Sequence, residues 1–301
     1  MRVLITGASG LIGRHTLVQL RESGYSIRAF QRGPVSGLVD GVDTVTGDIR
    51  TDRQLLCEAA RGCGAIVHLA GRGDVGESRR DPVGYAELNA MGALNALDAA
   101  RSADAVFVLA SSQRVYRLRA TACKEDDQLQ PDSPYGYAKW VAELWCRMAS
   151  EQYGMSVRIL RFFSVYGPGQ QANGGSGVVS IFARAAVADQ PLTIQSDGRR
   201  DFTDVRDVAR GIQLAIDDAE CRGGHRVVNV ATGVGTSFRS LAETIVELSG
   251  SSSEIRQTIT EPAGLDLVAD VRSARDGLGF QARIPLRDGI EHYLRWLRNC
   301  S

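Results

Sequence analysis

The sequence predicts an α/β chain organised on a doubly wound parallel sheet, with a smaller, mixed lobe formed toward its C-terminus. Three observations carry that expectation. Short apolar or β-rich runs (RVLIT, SIRAF, AIVHLA, AVFVLA and VRILRF) alternate with longer polar–apolar stretches, the order of strand–helix–strand units. AVFVLA is apolar along its whole length, which suits a strand covered by helices on both faces. TGASGLIG follows the first run directly, a glycine turn between a strand and a helix.

The bulk properties agree. The chain has 301 residues, enough for one large α/β domain or two lobes with a sizeable core. It is 44% hydrophobic and 23% charged, and Lys+Arg and Asp+Glu both number 35, for a formal net charge of zero. That balance argues against binding to nucleic acid or to a membrane surface, while leaving room for a local basic pocket. MRVLITGASG reads as a strand and a turn rather than a secretory segment, and no apolar run approaches the ~18 residues of a membrane span. The six cysteines (57, 63, 123, 146, 221 and 300) form no CxxC pair and do not cluster with the four histidines. Free thiols in a reducing cytoplasm are expected, and no metal site.

Taken in order, the first strand runs into Gly7, Gly10 and Gly13, with Leu11 and Ile12 between the last two. Glycines allow a sharp turn and a close backbone approach to a pyrophosphate, whose charge suits the following helix N-terminus. The GxxGxxG spacing is looser than the usual dinucleotide fingerprint, but its place at residue 7 points to a Rossmann-type cofactor turn. The second strand should then end on the group facing the adenosine ribose. In SIRAFQRG, Gln31 stands where a carboxylate would select NAD, and Arg32 follows it, a guanidinium suited to a 2′-phosphate. NADP is thereby favoured slightly over NAD. After the third strand, GDIR brings Asp48 and Ile49 to bracket an adenine ring, and HLAG follows the fourth at 68–71.

The fifth strand ends AVFVLASSQRVY, and PYGYAK lies about twenty residues on. If that second stretch is helical, Tyr135 and Lys139 share one face, and an ammonium near a phenol favours its ionised form. Beyond VRILRF, the polar, glycine-rich QQANGGSG (Gln170–Gly177) reads as a mobile connection into a second lobe. Three helices close the chain, with stripes at Val205, Val208, Ile212 and Ile216, at Leu241, Ile245 and Leu248, and at Leu286, Ile290, Tyr293, Leu294 and Leu297. There is no internal repeat.

Together these motifs resemble the extended branch of the short-chain dehydrogenase/reductase family, the nucleotide-sugar epimerase/dehydratase group. The resemblance runs through TGASGLIG, GDIR, HLAG, Asn89, SSQRVY, PYGYAK, RFFSVYGPGQ and GRRDFTDVRDVA, almost the full length. It implies a dinucleotide-binding domain over 1–165, completed by roughly 203–232, and a substrate-binding lobe over 166–202 and 233–301. It implies Tyr135 as the acid–base group, Lys139 and an oxidised nicotinamide as the cations favouring its phenolate, and Ser112 as the hydroxyl that holds the reacting oxygen. Ser112 rather than Ser111 stands three before the Val of the VY pair, and Ser111 is expected to turn into the core. Asn89 either supports this group or is a buried amide satisfied by backbone.

Further cofactor contacts implied by the resemblance are Leu69, Ala70, Gly71 and Phe162. Substrate contacts are Ser112, Gln113, Ser164, Val178 and Arg200, the last matching an arginine that grips a nucleotide diphosphate. Three departures narrow the reaction. Gln113-Arg114 replaces the Asp-Glu pair of 4,6-dehydratases, and neither can act as their acid and base. Ser164 replaces an asparagine, and TITEPAGLD lacks the usual second diphosphate arginine. The expected activity is 4-epimerisation of a nucleotide-linked hexose through a transient 4-keto intermediate. The alternative is an NADPH-dependent 4-ketoreductase, and a non-catalytic dinucleotide sensor is a third reading, disfavoured because Ser112, Tyr135 and Lys139 are all retained. A homodimer through the helices near 84–101 and 135–153 is also implied.

Overall fold

The computed structural model describes residues 1–33, 42–170, 177–259 and 265–299, with the backbone alone at 220–222. Most of the Gln170–Gly177 loop (171–176), the centre of TITEPAGLD (260–264) and Cys300 therefore lie outside the described residues. The chain begins as the alternation requires: β1 (Arg2–Thr6), α1 (Leu11–Glu22), β2 (Ser26–Gln31), β3 (Asp43–Thr46), α2 (Arg53–Ala60) and β4 (Ala65–His68). Two short helices, α3 (Val75–Arg80) and α4 (Pro82–Tyr85), lead through a π-helical segment at Ala86–Met91 into α5 (Gly92–Ser102) and β5 (Val106–Ser112). Then come α6 (Pro134–Tyr153), β6 (Val157–Phe162), β7 (Val165–Tyr166), α7 (Val178–Val187), β8 (Leu192–Ile194), β9 (Arg199–Asp201), β10 (Thr203–Asp204), α8 (Val205–Arg222) and β11 (His225–Val230). The chain finishes with β12 (Gly235–Ser237), α9 (Phe238–Ser249), β13 (Ile255–Gln257), α10 (Arg272–Leu278) and α11 (Leu286–Asn299).

Seven strands form the main sheet in the order β11-β6-β5-β4-β1-β2-β3, all parallel. The order reverses between β1 and β4, so a crevice opens beyond their carboxyl ends, where ligands of such sheets bind. Alternate residues of each strand feed the two faces. Leu4, Phe30, Ile66, Phe107 and Ile159 pack with α2, α5 and α6. Val3, Ile5, Val67, Val108 and Leu160 pack with α1 and α8. Burial on both faces explains the continuous apolar runs.

A separate apolar cluster lies away from the sheet and joins α7, α9 and α11 through Phe182, Leu241, Ile245, Ile290, Tyr293 and Leu294. The helical stripes read from the sequence are the faces that build these clusters. Of those residues, Leu248 and Leu286 are only partly buried, at the margin. Among the described residues no helix is long and apolar enough to cross a membrane, and no group of side chains could hold a metal ion. Cys57, Cys63, Cys123 and Cys146 are free thiols.

Two local features set the site. At Gly7 the backbone takes φ +73°, and a Cβ there would lie 2.6 Å from the Ala70 nitrogen; at Gly13 it would lie 2.3 Å from the Gly7 carbonyl oxygen. Glycine is what lets β1, β4 and α1 meet this closely. The second is the start of α6. Ser133 accepts from the Gly136 N–H at 3.3 Å, Pro134 occupies the first turn, and Gly154 ends the helix in a left-handed cap. The helix therefore begins where PYGYAK needs it, with Tyr135 and Lys139 on one face.

Candidate active site

Three regions lie along the crevice and the lobe beside it. The first, of about 310 Å³, lies between the glycine turn and the ends of β2, β3 and β4, and is lined by Gly7, Gly10, Gln31, Arg32, Asp48 and Ile49 among others. Leu69, Ala70 and Gly71 also face it. The N-terminus of α1 opens here at Gly10, with no side-chain cap and no acidic residue in its first turn, so its free N–H groups suit a pyrophosphate. Leu11 and Ile12 form that turn, and Ile12 reaches the neighbouring region. Gln31 is buried, and among the described residues neither end of its amide has a hydrogen-bond partner. Such orphaned polar atoms in a cleft fit a ribose that supplies the missing bonds.

Arg32 is exposed and lends positive potential to Asp48, whose carboxyl is held below the usual range by its hydrogen bonds to Arg50, against the upward effect of burial. The free N–H groups of α1 and the Gln31 amide give this region donors of the kind a dinucleotide uses. Phe162 is buried at the end of β6 and borders the second region.

The second region, of about 500 Å³, contains Ser112, Gln113, Tyr135, Ser164 and Arg200. Here the strand end and the start of α6 converge. Ser112 caps the turn after β5, accepting from the Arg114 N–H at 3.2 Å. Its hydroxyl also interacts with the Tyr135 phenol and favours the phenolate. Tyr135 stands edge-on to Tyr85, with ring centroids 6.3 Å apart. Lys139 is buried and donates from Nζ to the Ala110 carbonyl at 2.8 Å. Ser111 turns inward, as expected, and donates to Glu143 at 2.5 Å.

One sequence expectation is reversed. Tyr135 was expected to ionise easily beside Lys139. Burial instead pushes its phenol above the ordinary tyrosine value, with Ser112 and then Arg114 pulling it back only in part. Lys139 is buried as well. Its own ammonium is brought down to about 8 by burial, although Glu143 opposes the fall. Among the protein's own groups, then, desolvation outweighs the neighbouring charge, and the phenol is an acid at neutral pH.

The two readings of Asn89 also resolve in geometry. Its amide is satisfied by backbone at both ends, donating to Tyr85 at 3.3 Å and accepting from the Arg72 N–H at 3.2 Å. It nevertheless packs where a Cβ on Gly71 would strike its Oδ1 at 2.5 Å and come within 3.5 Å of Lys139 Nζ. Arg200 is buried, donates to the Arg199 and Leu265 carbonyls at 3.0 Å each, and lies over the Phe238 ring. Two carboxylates that follow it in GRRDFTDVRDVA serve the fold. Asp201 accepts from Thr232 and Gly233, and Asp207 from the N–H groups of Arg283 and Ile284. Val178 opens α7 and borders both the second region and a third of about 430 Å³, which is also bounded by Arg114, Arg200 and Phe238.

Some residues went unread in the sequence. Glu143 pairs with Arg161 at 2.7 Å, and both are buried. Arg161 also donates to Tyr116 at 2.7 Å, which in turn donates to Asn229 at 2.8 Å. The signals were there: a carboxylate one turn after Lys139, and an arginine within the apolar run VRILRF. His68 is buried beside this group, bonded through Nδ1 to Thr6 at 2.9 Å and brought down to about 3 by burial and then by Lys139.

Fold and site define a dinucleotide-dependent protein of the short-chain dehydrogenase/reductase class, and comparisons with known proteins narrow this. The chain belongs to the NAD dependent epimerase/dehydratase family, whose model matches residues 3–231. It is 32% identical to a UDP-glucose 4-epimerase of Mycolicibacterium smegmatis, over 100% of both chains. Among solved structures it resembles MoeE5 in complex with UDP-glucuronic acid and NAD (32% identity, TM-score 0.91, 100% of both chains). It also resembles the Thermotoga maritima UDP-glucose 4-epimerase with UDP-glucose (26% identity, TM-score 0.90, 100% of this chain and 99% of that one).

The depressed Lys139 makes a pH prediction. The native ammonium loses its proton near 8 and an unfolded one near 10.5, so in that window the unfolded state holds more protons and stability rises with pH. The urea stability of wild type minus that of Lys139→Met should therefore climb between about pH 8 and 10 and be flat below about pH 7. A difference that is flat across the upper window would show that the ammonium is not desolvated.

Proposed function

We propose that this protein epimerises a nucleotide-linked hexose at carbon 4 through a transient 4-keto intermediate, with Tyr135 as acid and base. The observation that carries the reading is the placing of Ser112 and Tyr135 in one cleft, with Lys139 buried one turn along α6 and held on the Ala110 carbonyl, near the crevice at the glycine turn. The full-length likeness to UDP-glucose 4-epimerases supports it. The bound nicotinamide supplies the hydride acceptor and donor. The protein's part is proton transfer and positioning. Tyr135 takes the hydroxyl proton of the sugar and later returns it. Ser112 orients that oxygen, and Lys139, fixed on the Ala110 carbonyl, supplies positive potential. Arg200 holds the diphosphate, and residues 166–202 with 233–301 form the lobe that binds the nucleotide sugar.

Purified enzyme should interconvert UDP-hexose epimers without added cofactor. Tyr135→Phe should lose at least about 10²-fold in kcat with little change in KM, as for removal of a proton-transfer group. Disappearance of added NADPH one for one with product would instead establish the second reading, net reduction of a 4-keto sugar. Arg32 is the observation that favours that second reading.

For the cofactor we propose that either dinucleotide is admitted, with Arg32 tilting the balance to NADP because no carboxylate at residue 31 repels a 2′-phosphate. The MoeE5 complex named above holds NAD. Arg32→Ala should weaken NADP binding about tenfold or more and NAD binding far less, measured by fluorescence titration. Equal losses for both would remove the 2′-phosphate contact.

We further propose a homodimer through α6 and the helical stretch before α5, in a reducing cytoplasm that suits the free thiols. Tyr137 and Leu144 on α6, and Val83 and Met91 on the other stretch, are exposed apolar side chains. Val141 and Met148 continue the α6 stripe half-buried. Leu144→Asp should shift sedimentation of the purified protein from dimer to monomer, whereas a wild-type monomer would reject the interface.

A further inference from the structure

Arg114 is the half-buried charge in this site that the fold does not use. It lies on the turn Gln113–Val115, between the strand end bearing Ser112 and the helix bearing Tyr135. Its backbone is held from both sides. The N–H donates to Ser112 Oγ at 3.2 Å, and its carbonyl oxygen packs against Gly136, where a Cβ would approach to 2.4 Å. The position of the residue is therefore fixed relative to the reacting group.

Its side chain borders both the Tyr135 region and the third region beyond Arg200. Among the described residues the guanidinium has no hydrogen-bond or ion-pair partner. The buried arginines have partners: Arg158 with Asp218, Arg161 with Glu143, and Arg200 with the Arg199 and Leu265 carbonyls. Asp74 is the carboxylate bordering the Tyr135 region, and it accepts from the Glu77 N–H at 2.9 Å. A half-buried guanidinium left without a counter-charge is suited to an anion that arrives with the ligand.

We propose that Arg114 binds a carboxylate carried on the sugar ring, so that the substrate is a nucleotide-linked hexuronic acid rather than a neutral hexose. This rests on the nucleotide-sugar reading above and names its substrate class. The placement favours the ring over the diphosphate. Arg114 is two residues from Ser112, and its charge is felt at the Tyr135 phenol, whereas the diphosphate is given to Arg200 in the reading above. A ring carboxylate also explains why an arginine can stand this close to the reacting oxygen without remaining unpaired during turnover.

Calorimetric titration of the whole protein with UDP-glucuronate, UDP-glucose and UDP tests this, with epimerisation of both sugars followed in parallel. Wild type should bind UDP-glucuronate about tenfold or more tightly than UDP-glucose. Arg114→Gln should bring that ratio close to one, and Arg114→Lys should keep part of it. UDP binding by each variant verifies its fold. A wild-type ratio near one overturns the inference. So does an Arg114→Gln variant that weakens UDP and both sugars by the same factor, which would assign the guanidinium to the diphosphate. Absence of epimerised product from either sugar would count against the proposed reaction, while the binding ratios would still decide the role of Arg114.

Discussion

The site depends on one close approach, that of Gly136 in the first turn of α6 to the chain just after β5. A methyl group on residue 136 would meet the Arg114 carbonyl oxygen at 2.4 Å and the Pro131 side chain at 2.9 Å. Only a residue without a side chain lets the helix start this near the sheet. That contact brings Tyr135 beside Ser112 and sets Lys139, one turn later, against the Ala110 carbonyl. Strand, turn and helix are thereby fixed as one unit before any ligand enters, which is the pre-organisation that proton transfer at a fixed oxygen requires.

Beneath that unit lies a buried polar chain running from Lys139 past Glu143 and Arg161 to Tyr116 and Asn229. Its ends are tied by Ser111 donating to Glu143 and by the Asn229 N–H donating to Glu125 at 2.8 Å. A buried ion pair adds little net stability, since desolvation offsets attraction, but losing one partner strands the other at a cost of about 3–5 kcal/mol. The chain therefore contributes position more than stability. It holds α6 in register with β5, β6 and β11, and it gives Lys139 a counter-charge without drawing the ammonium away from the site. The same burial raises the Tyr135 phenol. For the proposed reaction, taking the hydroxyl proton requires the phenolate, which has to be won against this desolvation by charges brought to the cleft.

Much of this was legible in the sequence, for local reasons. A parallel strand buried on both faces writes itself as an apolar run, and a turn that forbids side chains writes itself as glycines. TGASGLIG and AVFVLA therefore located the crevice, and the Tyr135–Lys139 spacing predicted a shared helical face. What the sequence did not carry was the sign of a competition. Whether Lys139 or burial controls Tyr135 depends on how Tyr85, Ser112 and the sheet end close around the phenol. Arg114 was visible as a group unable to serve as acid or base, yet its lack of a partner is a fact of three dimensions. Glu143 could have been singled out by its place one turn after Lys139, and Arg161 by a charge inside an apolar strand. The short strand pairs around Arg200 left no periodic trace because each spans only two or three residues.

The central claim is that hydrogen leaves and returns at one sugar carbon within a closed site, with Tyr135 handling only the hydroxyl proton. Turnover of a nucleotide hexose or hexuronate carrying deuterium at carbon 4 tests it directly, with the product read by nuclear magnetic resonance. The account predicts that the label is retained at carbon 4 of the epimer, with none exchanged into water. Loss of the label to solvent, or its appearance at carbon 5, would contradict it.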